Sequence, residues 1–219
     1  MTLIDLSHTI DADVPRFASI PAPQIGALWT HAQAGASGRY EGCTCEVTTV
    51  SMATSIGTYM DSPYHFDPQG PDISALPLQQ CVLPGLCLDA RGYSERSELG
   101  PELLAGARAA GRAVLICTGW SEYWGHERYY HSPFVGASLA AALREQGAAA
   151  VGIDTLNIDD GRNPRRPAHV TLLQARIPII ENLTGLDALL EQRFTFFAVP
   201  PKIAGAAAFP VRTFAQMEP

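Results

Sequence analysis

Ala113-Val114-Leu115-Ile116-Cys117 is an unbroken apolar run, and the rest of the chain is best read outward from it. A strand exposed on one face alternates apolar and polar residues, whereas one covered on both faces stays apolar throughout. A second such run, Ala149-Ala150-Val151-Gly152-Ile153, follows an alanine- and leucine-rich stretch from Ala137 to Gln146. That stretch suits a helix, and Gly147 suits its stop. Ile177 to Ile180 and Phe194 to Ala198 read as further strands, with a short helix between them at about Leu186 to Glu191. Alternating strand and helix point to an α/β fold on a largely parallel or mixed sheet.

Upstream, Cys87-Leu88-Asp89 ends another strand, and Pro101 suits the first turn of a helix that ends near Gly111. The first third reads as strand and loop. Leu3 to Leu6 is a short strand, followed by a loop carrying Asp11, Asp13 and Pro15. Cys45 to Met52 is rich in β-branched residues and reads as a strand. It leads into a loop, Ala53 to Gly57, whose glycine permits a backbone conformation that other residues resist. There is no repeat and no low-complexity linker, so residues 1–219 read as one domain, long enough to bury a core without disulfides.

Hydrophobic residues make up 47% of the chain and charged ones 17%, the globular range. A net charge of −7 argues against a nucleic-acid or anionic-membrane binder, which needs a basic face. No apolar run is long enough to cross a bilayer, and Met1 to Asp5 carries an acid where a signal peptide would be basic. The cysteines, at 43, 45, 81, 87 and 117, are odd in number and irregularly spaced, which fits a reducing compartment. A cytoplasmic protein is therefore expected. Cys43 and Cys45 would share one strand face and are expected to be ordinary buried or half-buried thiols.

Polar residues gather where the strands stop, and in α/β sheets sites form beyond strand ends. The segment Ser55-Ile-Gly-Thr-Tyr-Met-Asp-Ser-Pro-Tyr-His-Phe66 places Asp61 and His65 four apart, with Pro63 limiting the backbone between them. One helical turn or a tight loop could aim both at one point, as metal ligands or as an acid/base pair. Taken alone, the pair reads more readily as a helix cap and a satisfied buried histidine. His169 precedes Val-Thr-Leu-Leu173 and should start a helix, where a helix-start hydrogen bond is the plainer role. Glu181 closes the apolar run Ile177 to Ile180, and a charge there needs a partner or a function.

The segment from Ser55 to Phe66 resembles the signature of the cyclase family, which includes bacterial kynurenine formamidase and isatin hydrolase: His-x-Gly-Thr-His-x-Asp-x-Pro-x-His-Phe. It matches everywhere except at the first two histidines, where Ser55 and Tyr59 stand. The likeness runs along nearly the whole chain through Ile4-Asp5-Leu6-Ser7-His8, Thr118-Gly119-Trp120, Gly152-Ile153-Asp154-Thr155, His169-x-x-Leu-Leu173, Ile180-Glu181-Asn182-Leu183 and Pro210-Val211-Arg212. It implies a kinked mixed sheet flanked by helices. It also implies a hydrolase of small amides, formamides, lactams or lactones that uses metal-activated water.

Carried over residue by residue, the resemblance makes Asp61, His169 and Glu181 ligands of one divalent ion, zinc or manganese, and His65 the general acid/base. Serine and neutral tyrosine are poor zinc ligands, so the position served by the two missing histidines should be weakened. Two alternatives stand beside the metal hydrolase. One is a metal-free cyclase or dehydratase using His65 with Tyr59 as hydrogen-bond donor. The other is a protein that binds a small molecule without turning it over. Ser55, Trp120, Arg165 and Arg166 are the substrate-contact candidates. The arginines, with Arg162, could clamp a carboxylate or simply form a solvated basic loop. The aromatic cluster Trp120, Tyr123, Trp124, Tyr129 and Tyr130 could stack on an aryl group or serve a subunit interface in a dimer or tetramer.

Overall fold

The computed structural model describes residues 1–218. In chain order its elements are β1 (Leu3–Asp5), β2 (Gln24–Trp29), α1 (His31–Ala36), β3 (Val47–Ser51), β4 (Tyr59–Asp61), β5 (Val82–Asp89), β6 (Glu98–Leu99), β7 (Ala113–Cys117), β8 (Phe134–Val135), α2 (Ala137–Glu145), β9 (Ala150–Ile153), α3 (Pro167–Gln174), β10 (Ile179–Glu181), β11 (Phe194–Phe197), β12 (Ala208–Pro210) and β13 (Phe214–Met217). Short 3-10 turns join many of them.

Nine strands make one mixed sheet in the order β1-β13-β11-β5-β7-β9-β10-β4-β12. Its centre, β5-β7-β9-β10, is parallel. Both flanks are antiparallel, from β5 out to β1 and from β10 out to β12. β7 is buried at every position, as its apolar run required. Its side chains alternate between faces. Val114 and Ile116 join Leu139 and Leu143 of α2 and Leu172 and Leu173 of α3. Ala113, Leu115 and Cys117 face the other way, toward Phe194, Phe196 and Leu186.

Among the described residues no long helix covers that second face. The sheet curls, and the phenylalanines of β11 fill its hollow. A Cβ on Gly85 would lie 1.9 Å from the Phe194 ring, so glycine is what lets β11 seat its aromatic there. Burial of each such side chain contributes about 1.5–3 kcal/mol.

Several expectations need correction. The helix expected from Pro101 to Gly111 is a single 3-10 turn, Pro101–Leu104. Gly106 turns left-handed at φ 77° and breaks it before a second turn can close. The segment Leu186–Leu189 is likewise a 3-10 turn. Cys43 and Cys45 precede the strand, which starts at Val47; Cys43 is exposed and Cys45 half-buried. That strand, β3, pairs with β2 in a separate two-stranded ribbon, exposed at nearly every position. Among the described residues no helix is long and apolar enough to cross a membrane.

Candidate active site

The site forms where β4 meets β10. The two strands are antiparallel, with Tyr59 opposite Glu181 and Asp61 opposite Ile179. Residues two apart on a strand share a face, so Tyr59 and Asp61 project together, with Glu181 beside Tyr59. Gly57 sets up this approach. It turns the chain at φ 68°, and a Cβ there would meet Ile10 Cγ1 at 2.5 Å. The Asn182 side-chain amide then ties that turn to the end of β10, donating to Gly57 O at 2.7 Å and accepting from the Tyr129 hydroxyl at 2.8 Å.

After Asp61 the chain enters the 3-10 turn Pro63–His65, with Pro63 at its first position. The turn brings His65 Nε2 to 3.8 Å from Asp61 Oδ1. From the other side α3 presents His169, whose Nε2 lies 3.7 Å from Asp61 Oδ2 and 3.6 Å from Glu181 Oε1. Ligand-type atoms of Asp61, His65 and His169 all fall within 4.8 Å of one another. The Phe66 ring packs 4.8 Å from each of the two imidazoles, centre to centre, and holds them at this spacing.

The electrostatics are unusual. Asp61 is fully buried, and neither carboxylate oxygen has a hydrogen-bond partner. A buried carboxylate without donors is strongly disfavoured unless a cation compensates it. Glu181, also fully buried, is better provided for: Oε1 accepts the Ile158 N–H at 2.6 Å, and Oε2 accepts the Tyr59 hydroxyl. Burial still pushes Glu181 up to about 7, aided by Asp61 and opposed by His169, Tyr59 and Ile158. His169 goes up to about 10: burial opposes its charge, but Asp159, Asp61 and Glu181 together outweigh burial. Burial and the two neighbouring carboxylates hold the Tyr59 phenol far above its ordinary value. An orphaned carboxylate facing two imidazoles, with a second carboxylate beside them, is a donor set that fits a divalent cation.

A cavity of about 200 Å³ opens onto this cluster. Tyr59, His65 and His169 line it, together with Ser55 and Arg166 from among the substrate-contact candidates. Arg166 is anchored to Asn157 Oδ1 at 3.0 Å. Arg165 is exposed and does not line the cavity, and Arg162 pairs with Asp160 at 2.8 Å. Trp120 is buried beside Tyr129 and Leu156, its indole N–H donating to Arg128 O at 3.1 Å, and it too stays out of the cavity.

Phe17 and Ile20, from the loop after β1, and Asn157, after β9, also line the cavity. No motif marked Phe17 or Ile20. The available signal was a loop holding apolar residues next to Pro15, a weak one.

A family model named Cyclase matches residues 4–160. The chain belongs to the cyclase family. A kynurenine formamidase of Paracidovorax citrulli is 30% identical over 179 residues, 78% of this chain and 79% of that protein. Isatin hydrolase A from Labrenzia aggregata, solved with benzyl benzoate, superposes with a TM-score of 0.86 at 25% identity, covering 98% of this chain and 93% of its own. A structure described as a potential metal-dependent hydrolase with cyclase activity superposes at a TM-score of 0.80 and 25% identity, covering 100% of this chain and 99% of its own. Within the cyclase family, then, this chain keeps the aspartate and the later histidines and carries Ser55 and Tyr59 where the signature has imidazoles.

Proposed function

We propose that this cyclase-family chain is a hydrolase that opens a C–N bond in a small amide, formamide or lactam, with the corresponding lactone as the C–O counterpart. The observation that carries the reading is Asp61: a fully buried carboxylate with no donor, facing two imidazoles that line a cavity. Relatives named kynurenine formamidase and isatin hydrolase support the bond type.

Asp61 and His169 would hold a divalent ion, with Glu181 as the third protein ligand. A carboxylate oxygen that accepts one N–H keeps a lone pair for a metal. Bound there, zinc or manganese would acidify the attacking water and polarise the scissile carbonyl.

The chain's own residues do the rest. His65 is the member of the cluster nearest solvent, its side chain 36% exposed. There it can take a proton from the water as it attacks and return it to the departing nitrogen. Tyr59 spends its hydroxyl on Glu181, which favours the ionised carboxylate. Phe17, Ile20 and Phe66 give the cavity an apolar wall suited to a flat aryl group, and the Arg166 guanidinium stands where a substrate carboxylate could meet it.

The test is turnover of aryl formamides and cyclic aryl amides by protein stripped with a chelator and then reloaded. Loss on stripping and return with zinc or manganese is the expected result. Full turnover in the stripped protein, or none of any amide or lactone in the loaded one, would overturn the reading.

A further inference from the structure

Asp159 belongs to no motif named above, yet its carboxylate makes three specific contacts beside the site. It is buried, with its side chain 1% exposed. Oδ1 accepts the backbone N–H of Ala168 at 2.8 Å. Oδ2 accepts the backbone N–H of His169 at 3.0 Å and lies 2.7 Å from His169 Nδ1.

The first two contacts supply what the helix start lacks. At the N-cap of α3 stands Arg166, left-handed at φ 45° and without a side-chain cap bond, and Pro167 follows at the first position. Two helix N–H groups would otherwise be buried without acceptors.

The third contact has a different consequence. An ionised carboxylate only accepts, so the ring proton facing it must be on Nδ1. In the neutral ring, the form able to ligate a cation, Nε2 then carries the lone pair, and it is Nε2 that faces Asp61 and Glu181. We infer that Asp159 is a positioning residue that fixes His169 in the tautomer able to ligate a cation. This rests on the metal-hydrolase reading above. Carboxylate partners on the outer nitrogen of a ligating histidine orient the ring and raise its basicity.

Asp159→Asn separates this from simple helix capping. The asparagine amide offers one oxygen and one NH₂ group where three N–H groups now converge on two oxygens. If the NH₂ turns toward Nδ1, it demands the lone pair there and moves the proton to Nε2, against the ion. Zinc titrated calorimetrically into the variant should bind about 10- to 100-fold more weakly than into the unaltered protein. In the zinc-loaded unaltered protein, ¹⁵N-histidine NMR should show His169 protonated on Nδ1 and metal-bound through Nε2. A variant that melts earlier but binds zinc as tightly would reduce Asp159 to a helix cap and overturn the inference, leaving the hydrolase reading in place. A zinc-loaded His169 bound through Nδ1 would overturn it without any variant at all. Failure of the unaltered protein to bind zinc or manganese would overturn both.

Discussion

Asp61 and Asp154 stand at the ends of two strands of one sheet, both buried, in opposite surroundings. Asp154, just past β9, is met by donors on every side. Its Oδ1 accepts the Thr118 N–H at 2.9 Å and the Thr118 hydroxyl at 2.6 Å, and its Oδ2 accepts the Gly119 N–H at 2.9 Å. Burial pushes its pKa up to about 6, with the three hydrogen bonds pulling against it. It clips the end of β7 to the end of β9 with both of its oxygens engaged. Asp61, the last residue of β4, is met by no donor; it faces imidazole nitrogens 3.7 and 3.8 Å away. Burial of an acid is therefore not in itself a functional sign. What sets Asp61 apart from Asp154 is that the fold buries it without giving it a donor.

Exchanging each acid for its amide gives the sharpest test of that contrast. Asp61→Asn should bring turnover to the uncatalysed background and abolish tight zinc binding. The melting temperature of the metal-free protein should fall less than in Asp154→Asn, because Asp61 has no hydrogen bond to lose. Asp154→Asn should do the reverse. It strands a buried donor at a cost of about 1–3 kcal/mol in denaturant unfolding, with turnover per folded molecule close to normal. Equal losses of stability in the two variants would break the comparison.

His65→Ala should cost about a hundredfold or more in turnover, the usual share of a proton-transfer group, with zinc affinity changed much less than by Asp61→Asn. A fall in zinc affinity as large as that of Asp61→Asn would make His65 a ligand. Tyr59→Phe should be milder, about tenfold in turnover, the equivalent of one buried acceptor left unmet. Its hydroxyl supports the ionised form of Glu181, so removing it raises the Glu181 pKa. The acid side of the pH–rate profile should move to higher pH; an unmoved profile would make the hydroxyl mere filler.

The smallest effect concerns His8, stacked on Trp124 with ring centres 3.7 Å apart and its Nε2 buried without a partner. Burial lowers its pKa from 6.5 to about 4, so the folded protein keeps it neutral. The unfolded chain takes up the proton first. Stability should thus be full above pH 6.5 and decline as pH falls from there toward 4. His8→Phe keeps a ring for the stack and removes the titration. It should flatten the melting temperature over that pH range, which a scan of thermal unfolding would show.

The central strands were legible because β7 and β9 are covered on both faces and need apolar residues at every position. The edges were not. β4, β12 and β13 are three or four residues long and take their register from neighbours far away in sequence. The ribbon partner β2 is exposed along its length and carries no alternating pattern. Near the site, Asp61, His65 and His169 could be drawn toward one another from spacing and motif. Asp159 and Phe17 could not, because their roles depend on which loop lies across which strand end.

Local chemistry in the sequence therefore determined the α/β class, the helix stop at Gly147, the turn at Gly57 and the set of side chains able to bind a cation. Each follows from what a few neighbouring residues can or cannot do with their own backbone. Only the tertiary structure decided which buried acid is left without donors, that the Tyr59 hydroxyl serves Glu181, that Arg166 and not Arg165 reaches the cavity, and which nitrogen of His169 faces inward. Those outcomes are set by partners 9 to more than 120 residues away, and a hydrogen bond depends on position and angle that no single segment carries.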